Sequence, residues 1–149
     1  MRLTLFSDYT LRVLMYLGVH RDGLSTIHQI AEAYGISKNH LMKVVHYLAQ
    51  NGYLETVRGK GGGIRLARLP AEINLGQVVR QTERDTVLVE CFGGEPSCCR
   101  IVSACDLKFI LQQAAEAFYG HLDRFTLQDL LGREREMKPL LGLIATSAG

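Results

Sequence analysis

The chain has 149 residues, 47% hydrophobic and 21% charged with only three prolines, which is composition enough for one packed domain with an extension and unlike a disordered chain. No uncharged apolar run reaches the roughly 18 residues of a membrane span, and Asp8 and Arg12 interrupt the start before a signal-peptide core could form, so a soluble, cytoplasmic protein without a membrane partner is expected. The net charge of +2 is uneven: residues 1–70 hold nine Lys and Arg against four acids, whereas residues 71–149 hold eight against eleven. A basic half beside an acidic half suggests a polyanion-binding module joined to a separate site.

In chain order, Ser7 is a candidate cap for a helix over residues 8–19, with Leu11, Leu14, Met15 and Leu17 available for a buried face. A second short helix is expected over residues 26–34. Gly35 and Ile36 make a tight turn, Ser37 is an N-cap, and a third helix runs to about Asn51. In that helix Leu41, Val44, Val45 and Leu48 fall at helical spacing, leaving Lys38, Asn39, Lys43 and His46 for the other side. Two short helices around a glycine turn, the second polar and basic near its start, form a helix-turn-helix.

Residues 53–57 and 64–66 read as strands around Arg58-Gly59-Lys60-Gly61-Gly62-Gly63, a β-hairpin wing whose tip carries Arg58 and Lys60. A nucleotide-hydrolase phosphate loop is a poor fit, because Gly59-Lys60 is followed by Gly61 rather than Ser or Thr. Asn74 caps a helix to about Thr82. A longer helix over residues 106–122 aligns Leu107, Leu111, Ala114, Phe118 and Leu122, a stripe better suited to a helix–helix dimer seam than to the core of so short a chain. Thr126 caps a last short helix over residues 127–131. The fold expected is mainly α with a small β-hairpin wing. Its parts are a winged helix-turn-helix domain (1–83), a cysteine-bearing segment (84–105), a dimerisation helix with its following short helix (106–131) and a tail (132–149).

The four cysteines are spaced Cys91, six residues, Cys98-Cys99, five residues, Cys105. In a reducing cytosol this favours metal or redox chemistry over disulfides. Paired zinc knuckles and a Cys-x-x-Cys are absent. A Cys98–Cys99 disulfide is geometrically poor, since adjacent Cα atoms lie about 3.8 Å apart. Thiols spread along a loop with glycine and proline are able to wrap an iron–sulfur cluster, although the spacing is not a ferredoxin's; zinc and plain buried thiols rank behind it.

The opening Met1-Arg2-Leu3-Thr4-Leu5-Phe6-Ser7-Asp8-Tyr9-Thr10-Leu11-Arg12 resembles the NsrR/IscR/RirA family of iron–sulfur winged-helix regulators. So do Ile36-Ser37-Lys38-Asn39-His40-Leu41-Met42-Lys43, the wing from Val57 to Gly63, and the cysteine segment. The resemblance spans about residues 1–131, and the 37–43 stretch looks most like the nitric-oxide-sensing NsrR branch. It implies Cys91, Cys99 and Cys105 as ligands of a 4Fe–4S cluster, one per subunit, with Cys98 one thiol more than the pattern needs and able to replace Cys99. A 2Fe–2S cluster or zinc are the alternatives. IscR-like members use a histidine three residues after the last cysteine, where this chain has Lys108. NsrR-like members are thought to use an N-terminal aspartate of the partner subunit, which matches Asp8; without that role, Asp8 is an acid in a helix's first turn paired with Arg12.

On this reading a homodimer binds palindromic double-stranded operator DNA through Lys38, Asn39, His40, Lys43, Arg58 and Lys60. Nitric oxide is the signal, and Arg12 relays it from Asp8 to the DNA-binding half. His46 reads as a surface hydrogen-bonder, and Phe6 and Tyr9 as packing residues. A repressor of iron or cluster status shares every part but the signal. A zinc- or thiol-based redox protein is the alternative of another class. An enzyme is the weakest candidate, because no acid–base or nucleophile–base pair is placed in one pocket.

Overall fold

The computed structural model describes residues 1–94 and 99–143. Helix α1 (Leu5–Val19) is followed by α2 (Ile27–Tyr34) and α3 (Lys38–Gln50), then strands β1 (Leu54–Val57) and β2 (Gly63–Leu66). Helix α4 (Leu75–Thr82) leads into an irregular stretch with 3-10 turns at Glu90–Phe92 and Val102–Ala104. Then come α5 (Asp106–Leu122), a 3-10 turn at Leu127–Leu131 and α6 (Glu134–Leu140). None of the described helices is long and apolar enough to cross a membrane.

Local chemistry sets the helix-turn-helix. Thr26 and Gln29 form a reciprocal capping box at the start of α2, and its last turn is closed by Gly35, whose φ of 64° is a left-handed conformation open to glycine. Ser37 then caps α3 by accepting from the His40 N–H. The expected face of α3 is the buried one: Leu41, Val44, Val45 and Leu48 join Val13, Leu14 and Leu17 of α1 in the core. Helix α1 is the hub, with α3, α4, β2, the 127–131 turn and α6 all packed on it.

The wing is an antiparallel hairpin in register Leu54↔Leu66 to Val57↔Gly63. Its second strand is tied to the residue before the α2 cap: Ser25 and Ile64 exchange backbone hydrogen bonds of 3.0 and 2.7 Å. Gly62 is required at the tip, because a Cβ there would sit 2.2 Å from the Val57 carbonyl oxygen.

Two expectations shift. Helix α1 begins a turn earlier than Ser7 suggests, capped by Thr4, whose hydroxyl accepts from the Ser7 N–H. The apolar residues of α5 also divide between two faces. Leu111, Phe118 and Leu122 are half-buried, while Leu107, Ile110 and Ala114 form an exposed row. Leu107 and Ile110 stand 58% and 60% exposed.

Candidate DNA interface and cysteine segment

On a helix of about 3.6 residues per turn, Asn39, Lys43 and His46 stand opposite the buried side of α3 and are exposed. Lys38 and Met42 line a cleft of about 410 Å³ with Thr26, His28 and the wing residues Thr56, Val57 and Gly63. Arg58 and Lys60 stand exposed at the wing tip. Helix α3 and the wing, which meet at this cleft, thus each carry exposed cations, with the Asn39 amide beside them, groups of the kind that meets phosphates and base edges. His40 takes a different place. Its ring lies 5.9 Å from that of Tyr9 on α1, at the margin of the exposed face, and it lines a small cleft with Leu5, Phe6 and Lys43. His46, expected from its spacing on the same side as Asn39 and Lys43, is exposed there, three residues after Lys43 and seven after Asn39.

Helix α1 touches both helices of the motif. Phe6 meets Tyr47 of α3 edge-on at 5.2 Å. Arg12 is paired with Asp8 through Nε–Oδ1 (3.1 Å) and Nη2–Oδ2 (3.0 Å), and its guanidinium lies over the rings of Tyr34 (5.7 Å) and Tyr9 (6.0 Å). The Tyr34 hydroxyl donates to the Arg12 carbonyl at 3.0 Å. Burial pushes that phenol up to about 12 against the pull of Arg12, so it stays a donor. Asp8 is thus close to the end of α2 through one side chain, Arg12.

A second junction joins α1 to the end of α4. Glu83 is nearly buried, and its Oε1 accepts from the Thr4 N–H (2.7 Å), the Thr4 hydroxyl (2.8 Å) and the Ser7 hydroxyl (2.5 Å). The Thr82 hydroxyl lies 2.7 Å from the Ser7 oxygen. Burial raises the Glu83 pKa, but the Ser7, Thr4 and Thr86 donors outweigh it and hold the carboxyl below the usual value. The cysteine-bearing segment leaves from this carboxylate. Beside it Met1, Leu3, Val87, Leu88, Ala115 and Phe118 line a mostly apolar cavity of about 380 Å³.

Cys91 lies in the Glu90–Phe92 turn, Cys105 immediately precedes α5 without a side-chain capping bond, and Cys99 lies between them; all three are half-buried and no disulfide joins them. Cys98 lies outside the described residues. Three soft thiol donors fit an iron–sulfur group by their chemistry. Among the described residues, however, no three His, Cys, Asp or Glu side chains are grouped closely enough to hold a metal ion. The described residues therefore carry three thiol donors but no ready-made cage, and Asp8 is paired with Arg12.

The capped helix pair, the basic exposed face of α3 and the hairpin beside it define a winged helix-turn-helix DNA-binding regulator. A family model described as an iron-dependent transcriptional regulator, Rrf2, matches residues 3–133. The chain belongs to the Rrf2 family, whose members are transcriptional regulators and not enzymes. It is 51% identical over 142 residues to the HTH-type transcriptional regulator NsrR of Bacillus subtilis, covering 95% of this chain and 97% of that one. To the protein of the same name in Bacillus licheniformis it is 47% identical over 142 residues, covering 95% and 99%. The fold matches the solved structure of T. potens IscR with a TM-score of 0.70 at 24% identity, over 99% of this chain and 94% of that one.

Proposed function

We propose that the chain is a homodimeric repressor that leaves its palindromic operator in response to nitric oxide. Residues 1–83 carry the DNA-binding unit, 84–105 the sensing segment and 106–131 the dimer contact, with the exposed Leu107, Ile110 and Ala114 row offered to a second copy. Lys38, Asn39, Lys43 and His46 face the major groove with His40 at the margin of that face, and Arg58 and Lys60 reach the minor groove from the wing. Cys91, Cys99 and Cys105 would hold a 4Fe–4S cluster, completed by Asp8 of the second copy. When bound, the cluster supplies iron for nitric oxide to attack, most open at the carboxylate-held corner because oxygen binds such iron more weakly than thiolate.

The observation that carries this reading is the placement of Asp8 on a helix that bears directly on α3 through Phe6–Tyr47 and Tyr9–His40. Asp8 has two claimants, a ligand site on the second copy and Arg12 on its own helix. Engaged by the second copy, Asp8 ties the subunits; released, it pairs with Arg12 as in the protomer. Arg12 packs against Tyr34 at the end of α2, so the exchange is felt where the helix-turn-helix is built.

The test is an anaerobic titration of the cluster-loaded protein with nitric oxide, following visible absorption and operator binding together. Parallel loss of both is expected. Undiminished operator binding after the absorption has bleached overturns the reading. The iron-dependent description of the family supports a second reading, repression governed by iron or cluster status. Release on iron depletion, with no greater response to nitric oxide than to other oxidants, moves the assignment there. Metal analysis that finds zinc in place of iron and sulfide ends both in favour of a zinc or thiol redox protein, and a ratio of two irons per chain selects a 2Fe–2S cluster.

A further inference from the structure

The C-terminal end of helix α5 is fastened to the DNA-binding unit. Asn74, the cap of α4, donates through Nδ2 to the Asp123 carbonyl at 2.7 Å. The Leu75 N–H donates to the Phe125 carbonyl (3.0 Å) and the Leu127 N–H to the Ile73 carbonyl (2.8 Å). Arg80 forks onto the Asp123 carboxylate, with Nη2 2.7 Å from Oδ2, and its guanidinium lies 5.1 Å over the ring of Tyr119. Gly76 is buried against the same residue: a Cβ there would meet Asp123 Oδ1 at 2.0 Å and the Asp123 nitrogen at 2.7 Å. The helix pair closes to this distance only because Gly76 has no side chain.

Toward the other end of α5, Leu107, Phe109 and Ile110 are 58–60% exposed. A helix of 17 residues is a lever about 25 Å long, so a change of about 10° at Asp123 displaces its far end by about 4 Å. DNA half-sites one turn apart are about 34 Å from centre to centre. That distance tolerates little error in the angle between a dimer helix and the unit it carries.

We propose that Asp123, gripped by Arg80 and closed on by Gly76, is the positioning residue that sets this angle and hence the half-site spacing the regulator accepts. The inference rests on the dimer reading above. None of the three residues reaches DNA in that reading; they act through the direction of α5.

The experiment uses the full chain, purified anaerobically, and a palindrome selected by the unaltered chain from randomised duplex DNA. Binding of the unaltered chain, Asp123→Ala and Gly76→Ala is measured on that palindrome, on versions with one base pair added or removed between half-sites, and on a single half-site. Both variants are expected to lose about tenfold or more on the palindrome while half-site affinity is kept, because simultaneous engagement is what fails. Their preference among the three spacings should flatten or move. Asp123→Ala introduces no steric clash, so it decides the matter if Gly76→Ala does not fold. Variants that sediment as dimers and keep the parent spacing profile overturn the inference alone, as does an equal loss on full and half sites. A parent that is monomeric on a single half-site overturns the dimer reading and the inference with it.

Discussion

The Ser7 hydroxyl, fully buried, donates to the Glu83 carboxylate at 2.5 Å and so joins the first turn of α1 to the end of α4, 76 positions along the chain. The same carboxylate oxygen takes both donors of Thr4, the α1 cap. The turn that presents Asp8 and the point where the cysteine segment departs are therefore one rigid corner.

Glu83→Ala should cost about 1–3 kcal/mol, the range for leaving buried donors without their acceptor. Chemical denaturation at neutral pH measures it. The pH dependence has a definite sign. The folded carboxyl lies below its ordinary value of 4.5, so its contribution is complete above that value and is lost as pH falls through the lowered one. The unaltered chain should lose stability more steeply in this acid range than Glu83→Gln, which has no charge to lose. Equal slopes would show that the donors do not favour the ionised form.

This corner also marks the limit of what the sequence discloses. The α2 and α3 boundaries were legible because Thr26, Gly35 and Ser37 act within a few residues of themselves. Ser7 looked like a cap by the same local logic, but its hydroxyl goes to Glu83 and Thr4 does the capping. No local rule reveals a partner 76 positions away. The wing was readable from its glycines, and the apolar content of α5 from its spacing. The division of that helix into a half-buried side and an exposed side depends on where α4 and the 86–88 stretch lie. Helix α6, with Pro139 inside it, lies in the stretch that the sequence leaves as an unassigned tail. Of the candidate site, the residue types were visible from the sequence. Their grouping was not: among the described residues no three His, Cys, Asp or Glu side chains form a metal-holding group, and Asp8 is paired locally with Arg12.

On the DNA-facing side the two histidines of α3 should behave differently. His46 stands on the open face and His40 leans on Tyr9. In competition with single-base variants of the operator, His46→Ala should relax discrimination at one position, by up to about 1–3 kcal/mol if it makes a base contact. His40→Ala should change affinity without selecting a position. The reverse pattern would return the base-reading role to His40.

At the wing, Lys60→Ala should weaken binding to specific and random duplexes by a similar factor and flatten the dependence of log affinity on log salt by about one. Gly62→Ala should reduce affinity through the hairpin itself, since its Cβ would strike the Val57 carbonyl. The core residues of α1 and α3 lie elsewhere, so its helical circular dichroism should match the parent. An unchanged salt slope in Lys60→Ala removes the wing tip from the phosphate-contacting surface.

Asp8→Ala separates a structural carboxylate from a sensing one. The Asp8–Arg12 pair is more than a third exposed on both sides, and an exposed i,i+4 pair contributes only about 0.3–0.5 kcal/mol. Loss of the pair alone therefore predicts a nearly unchanged melting temperature for the apo-protein, and that measurement comes first. Against that stable background, the proposed ligand role predicts an altered visible spectrum and a changed rate of reaction with nitric oxide. Arg12→Ala keeps the carboxylate but frees it from its local claimant, and the ring faces of Tyr34 and Tyr9 lose their cation. That variant should retain the parent spectrum while the link between spectral change and operator release weakens. If Asp8→Ala matches the parent in spectrum, reactivity and release, Asp8 serves only the first turn of α1, and the fourth ligand must be sought elsewhere.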